Sequence, residues 1–339
     1  MWKGLFSLVF LLAILGMAVG GGGWAWLQSE ASSPGSHSEA RFVTVDRGDT
    51  LVAIAADLEA EGLIADARIM RLKARLDGTA QSIKAGQFEI PARATIAEIL
   101  DILVDGKVIQ HKITIPEGRT TAQILRIVRD HPQLTGDVPA APPAEGSLLP
   151  DTYLFDAGTT RVDVIERMAR AQDDVLERLW ADRVSGLPIK TPEEALILAS
   201  VVEKETGKAE ERDVVAGLFV NRLRKGMRLQ SDPTVIYGVT KGEPLFNRNG
   251  ERRTLYRSEL DRETPWNTYQ IDGLPATPIC NPGRDAIAAV LNPPDTDYVF
   301  FVADGTGGHV FSKTLAEHNR AVAAYRRYER EEIARERSN

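Results

Sequence analysis

The stretch Thr191-Pro-Glu-Glu-Ala-Leu-Ile-Leu-Ala-Ser-Val-Val-Glu-Lys-Glu-Thr206, followed by Gly207, decides how the chain is read. Thr191 is a helix cap, Pro192 suits the first helical position, and Glu194 completes a capping box. Residues 195–202 are apolar all round, which marks a buried helix, and Gly207 is a natural stop. Glu203 follows Leu196, Ala199 and Ser200 by seven, four and three residues and so shares their face. Burial of that face raises a carboxyl pKa, and the negative end of the helix dipole pushes the same way. A carboxylic acid that keeps its proton near neutrality can give it to a leaving group, so Glu203 is the candidate catalytic acid. Glu205 lies about 200° further round the helix and is expected to be solvated. The structural alternative for Glu203 is an ion pair with Arg212 or Arg222.

Downstream, residues 211–225 predict a second helix with Val214, Val215, Leu218, Phe219 and Leu223 on its apolar face and Gly226 as its stop. Residues 227–238 and 264–283 are expected to be irregular loops crowded with amides, hydroxyls and aromatics. That composition suits a carbohydrate cleft, because aromatic faces stack on sugars and amides bond hydroxyl and acetamido groups. Gln230, Asp232, Tyr237, Asn267, Tyr269 and Asn281 are the candidate substrate contacts. Residues 298–311 read as a β-hairpin, and a helix opens near Glu317. His309 and His318 lack metal-ligand spacing and are assigned to hydrogen bonding; no metal and no cofactor are implied.

Upstream, one device recurs three times: a short alternating strand, a turn, a threonine cap and an amphipathic helix. The caps are Thr50, Thr95 and Thr120. Unequal spacing excludes a regular solenoid. The first copy, Gly48-Asp49-Thr50-Leu51 with Ile54-Ala55, resembles the start of a LysM peptidoglycan-binding module; a plain capped turn is the alternative. Five prolines at 132, 139, 142, 143 and 150 mark an interdomain connection, and residues 162–181 predict a helix.

The 339 residues allow two domains, and 43% hydrophobic with 26% charged residues is an ordinary globular composition. A net charge of −7 argues against nucleic acid, and one cysteine excludes a disulfide scaffold or a multi-cysteine metal site. Residues 4–27 carry no charge. As a helix they reach about 36 Å, enough for a ~30 Å hydrocarbon core. Trp24 and Trp26 stand at one end as interfacial aromatics do, and Lys3 puts the N-terminus in the cytoplasm. A cleaved signal peptide is the alternative, although no Ala-x-Ala site follows the run.

Several motifs in order resemble one family. Ala199-Ser-Val-Val-Glu-Lys-Glu-Thr206, Asn221-Arg-Leu223, Gly226-Met-Arg-Leu-Gln-Ser-Asp-Pro-Thr-Val-Ile-Tyr-Gly238, Asn267-Thr-Tyr269, Gly273-Leu-Pro275 and Gly307-Gly-His-Val-Phe-Ser312 are similar to those of the endolytic murein transglycosylases (MltG/YceG-like). Glu145-Gly146 and Pro150-Asp-Thr-Tyr153 also fit that pattern. The resemblance implies a single-pass inner-membrane bacterial enzyme with its catalytic domain in the periplasm. Such an enzyme cuts the β-1,4 bond between N-acetylmuramic acid and N-acetylglucosamine in nascent strands and leaves 1,6-anhydro ends. It further implies Glu203 as the catalytic residue, peptidoglycan strands as substrate and peptidoglycan synthases as neighbours. A hydrolytic muramidase using Asp232 or Glu205 as second carboxylate, and a non-catalytic membrane-tethered peptidoglycan-binding scaffold, are the alternatives. The expected architecture is α+β: a tip and transmembrane helix at 1–27, a linker at 28–40, a LysM-like region at 41–131, a catalytic domain at 132–325 and a charged helical tail at 326–339.

Overall fold

Three threonine caps organise the first part of the chain, as the repeated device requires. The computed structural model describes residues 2–336. It begins with helix α1 (Trp2–Ala31), then β1 (Arg41–Val45), α2 (Leu51–Ala60), α3 (Ala67–Leu76), β2 (Gly86–Ile90), α4 (Ile96–Asp105), β3 (Gln110–Thr114) and α5 (Thr121–Arg129). Thr50, Thr95 and Thr120 each cap the helix that follows a strand, and at Thr95 and Thr120 a full capping box forms with Glu98 and Gln123.

β1 and β2 pair antiparallel, with Val43 opposite Phe88 and Val45 opposite Gly86. The order β1–α2–α3–β2 thus closes on itself. Val43 and Val45 point inward with Leu58, Leu63, Met70, Phe88, Ile90, Ile99 and Leu103, and together they form one core. Leu27 and Ala31 belong to the same core, and α1 packs on α3. The expected linker at 28–40 is therefore partly structured: its first residues continue α1, and buried His37 holds the Pro91 carbonyl oxygen through Nε2 at 2.7 Å. Between Phe10 and Trp26 the described side chains of α1 are exposed, among them Phe10, Leu12, Val19, Trp24 and Trp26. Among the described residues one helix, Phe10–Ala31, is long and apolar enough to cross a membrane. Met1, at the start of the expected tip, lies outside the described residues.

The remaining elements are β4 (Thr152–Asp156), α6 (Arg161–Ala181), α7 (Pro192–Glu205), α8 (Arg212–Arg224), α9 (Asp232–Thr240), α10 (Arg257–Leu260), α11 (Arg284–Leu291), β5 (Phe300–Ala303), β6 (His309–Ser312) and α12 (Leu315–Glu336). The described strands form three two-stranded sheets, β1–β2, β3–β4 and β5–β6. Helix and sheet are mixed, but helices dominate. α7 is the axis of the second core: Ala195, Leu198, Ala199, Val201 and Val202 are buried, and α6, α8, α9 and α11 pack around it.

Two expectations are corrected. Glu194 does not close a capping box on Thr191; its carboxylate reaches back to the Lys190 amide at 2.5 Å. Residues 232–240 form helix α9 rather than loop, with Pro233 in its first turn and Lys241 left-handed at its end. By packing, the chain falls into two compact units. One compact unit holds 1–112, 133–135 and 154–159, and the other holds 113–132, 136–153 and 160–339. The third strand–turn–helix copy thus contributes its helix to the second unit. The charged tail continues α12 to Glu336, and residues 337–339 lie outside the described residues.

Candidate active site

Helix α7 ends with two carboxylates on different faces, and the structure gives them different surroundings. The Glu203 carboxylate accepts a hydrogen bond from the Gly283 amide at 3.0 Å. Gly283 caps α11, so this carboxylate sits on the positive end of that helix and ties α7 to it. Arg212 and Glu117 are its charged neighbours. Arg212 is itself shared between Asp285 at 3.2 Å and Glu117 at 3.6 Å. Burial pushes the Glu203 carboxyl up; the Gly283 hydrogen bond opposes this, Glu117 adds to it, and Arg212 and Lys204 oppose it.

Glu205, expected to be solvated, is the more strongly perturbed of the two. Protein atoms crowd its carboxyl, and this desolvation raises its pKa to about 7. Ser231 gives the largest opposing influence, the negative charge of Asp232 reinforces the rise, and His309 and Arg222 oppose it. The side chain nevertheless keeps part of its surface. It lines an open cleft of about 400 Å³ together with Arg222, Gln230, Asp232, Tyr269 and His318.

Each wall of that cleft has a local cause. Gln230 adopts a left-handed backbone (φ 50°), its amide donating to the Thr268 carbonyl at 3.1 Å, and this turn presents its side chain to the cleft. Asp232 opens α9 and accepts a 2.7 Å hydrogen bond from the Tyr269 hydroxyl. Thr268, buried beside Tyr269, fixes the two segments to each other by accepting from the Ser231 amide at 2.9 Å and meeting the Thr234 hydroxyl at 2.8 Å. Buried Arg222 donates to the carbonyls of Val299 at 2.7 Å and Leu229 at 2.6 Å, joining α8 to the strand approach and to the 229–231 turn. Phe300 stacks on His318 with ring centroids 5.2 Å apart.

Of the sequence candidates, Gln230, Asp232 and Tyr269 come together in this cleft, and Glu203 is not among its lining residues. Asn267 is buried, with its amide committed to the Glu259, Leu260 and Arg262 carbonyls and its oxygen to the Tyr269 amide. Asn281 is buried too: its amide reaches Arg119, Thr121 and Glu145, and its oxygen takes the Leu148 amide at 2.8 Å. Both hold loops in place. Tyr237 faces another cavity and donates to Glu145 at 3.1 Å. Sequence reasoning missed the cleft roles of Arg222 and His318. It also missed Glu205's burial, because the covering residues come from distant segments.

The arrangement offers a carboxyl able to hold or release a proton near neutrality, an adjacent carboxylate fixed by a phenol, and an exposed amide, all open to solvent on one side. That is the equipment of an acid–base site for an uncharged polar polymer.

A model of the YceG-like family matches residues 43–324, and the chain belongs to that family. Among its relatives is the endolytic murein transglycosylase of Bacillus subtilis (strain 168), 29% identical over 314 residues that cover 84% of each chain. The endolytic murein transglycosylase of Streptococcus pneumoniae (strain R6) is 28% identical over 329 residues; the match covers 84% of this chain but only 58% of that protein. A solved structure, a putative YceG-like protein of Listeria monocytogenes, is 28% identical with a TM-score of 0.49, covering 84% of this chain and 99% of that one.

Proposed function

We propose that the chain is an endolytic murein transglycosylase that cuts the bond from N-acetylmuramic acid to N-acetylglucosamine within a glycan strand, with Glu205 as its acid and base. The observation that carries this reading is a carboxyl that burial raises to a pKa of about 7 and that still lines an open polar cleft. Protonated Glu205 gives its proton to the glycosidic oxygen as the C1–O bond breaks. The carboxylate then takes the proton of the muramyl 6-hydroxyl as that oxygen bonds C1, closing the 1,6-anhydro ring. The proton returns to Glu205 and no water is consumed. Asp232, held by Tyr269, supplies negative charge beside the cationic transition state.

Membership of the YceG-like family and the relatives' names support the reaction class. A second reading places Glu203 in the catalytic role, favoured by its raised pKa. A third is hydrolysis, favoured by Asp232 as a second carboxylate in the same cleft. Mass spectrometry of digested strands separates the reactions: anhydro ends support the transglycosylase, and reducing ends alone overturn it in favour of a muramidase. Glu205→Gln and Glu203→Gln assign the residue, since the variant without cleavage marks the acid.

The bare apolar length of α1 supports a membrane anchor with its N-terminus in the cytoplasm and the rest of the chain outside it. The β1–α2–α3–β2 order supports a LysM-like glycan-binding role for the first unit, with pulldown by purified sacculi as its check.

A further inference from the structure

The wall that α12 gives the Glu205 cleft differs in kind from the others. Gln230, Asp232 and Tyr269 supply amide, carboxylate and phenol from other segments, whereas α12 supplies Leu315 and His318. These two stand three residues apart and so share one helix face. Leu315 is 58% exposed, an apolar side chain in the open. The His318 ring stacks on Phe300 with the ring planes 21° apart, which fixes its orientation. Burial, and then the nearby Arg222 charge, hold its imidazole below the usual pKa, so at pH 7 the ring is neutral and carries one proton. Nδ1 is buried and meets no partner among the described residues. A proton there would be an unpaired buried donor, which folded proteins tolerate less well than an unpaired acceptor, and this assigns the proton to Nε2. His318 therefore offers the cleft one neutral N–H donor next to an exposed apolar side chain. An acetamido group carries the matching pair, a carbonyl oxygen and a methyl group, on adjacent bonds. A free ammonium carries neither, and it would meet the His318 N–H donor to donor.

We propose that His318 is a specificity-determining residue that donates its Nε2–H to the acetamido carbonyl of a bound sugar while Leu315 meets the acetamido methyl, so that the enzyme discriminates against strands whose amino sugars have lost their acetyl groups. The inference deepens the proposed reading of the Glu205 cleft and rests on it. The test uses the full chain in detergent and two preparations of the same strands, one untreated and one treated with a deacetylase that converts acetamides to free amines. The readout is the ratio of kcat/KM for the two. Wild type is expected to favour the acetylated strands about tenfold, the size of one neutral hydrogen bond with a partial methyl contact. His318→Phe keeps a flat ring against Phe300 but removes the donor; the ratio falls to about twofold, and the change appears in KM. His318→Gln keeps an N–H donor and restores part of the preference. A wild-type ratio of one, or a ratio unchanged in His318→Phe, overturns the inference while leaving the cleft's chemistry standing. An equal loss on both preparations that His318→Gln does not relieve marks a structural role for the ring and also overturns it. If wild type cuts neither preparation, the reading of the cleft fails and the inference falls with it.

Discussion

Replacing Glu205 by glutamine is expected to abolish strand cleavage and, at alkaline pH, to make the folded protein more stable than wild type. In the unfolded chain this carboxyl titrates near 4.5, and in the folded chain near 7. Below pH 4.5 both states carry the proton, and the fold's preference for the neutral acid contributes in full. Between 4.5 and 7 the unfolded chain ionises while the folded chain still holds the proton, so stability falls as pH rises. Above 7 the contribution is gone. At about 1.36 kcal/mol per unit, the rise from 4.5 to about 7 is worth at most about 3 kcal/mol, because part of the side chain remains in water. Glutamine is a neutral near-isostere and removes this pH dependence. Urea unfolding at pH 4 and pH 8 reads it directly: the variant matches wild type at pH 4 and exceeds it at pH 8. The same titration governs activity, so wild-type kcat/KM falls as pH rises past about 7, where the acid loses its proton. A glutamine variant that still cuts strands, or an alkaline limb centred near 4.5, would refute the assignment.

Glu203→Ala removes the acceptor for the Gly283 amide at the start of α11 and is expected to cost about 1–3 kcal/mol in urea unfolding while cleavage persists. Asn281→Ala leaves the buried Leu148 amide without its acceptor and takes the Asn281 donor from Thr121 and Glu145; a loss of about 3 kcal/mol by the same measurement is expected. Removing residues 2–23 gives a protein that no longer sediments with membranes. Extending the cut through Leu27, which is 1% exposed in the first core, costs a further 2–5 kcal/mol or so by chemical denaturation.

What the sequence disclosed and what it hid follow from the range of the interactions involved. Thr50, Thr95 and Thr120 were legible as caps because a cap bonds an amide three residues away, and the three helices begin where the threonines stand. The apolar face of α8, the hairpin at β5–β6 and the burial of α7 were legible from periodicity alone. Helix α9 was not, because its nine residues include a glycine and two threonines, and the pattern looked like a loop. Asn267 and Asn281 carry the residue type of a sugar contact, yet type does not say whether an amide meets a ligand or its own backbone. Here each amide is consumed by the chain's own carbonyls and side chains.

The two α7 carboxylates separate what a pKa shift establishes from what a site requires. Helical spacing put Glu203 on the buried face, and its carboxyl is indeed raised, chiefly by burial. On that face it meets Gly283 at the start of α11, and a carboxylate occupied by a backbone amide is engaged in holding two helices together. The wheel put Glu205 in solvent, because it accounts only for the helix's own residues. Ser231, Asp232, Tyr269 and the rings of Phe300 and Phe301 arrive from later in the chain and wall that side. They crowd the carboxyl enough to favour its proton and still leave the cleft open. Proton transfer to a substrate needs both conditions together, and helical spacing alone does not say which of two glutamates, two residues apart, satisfies them.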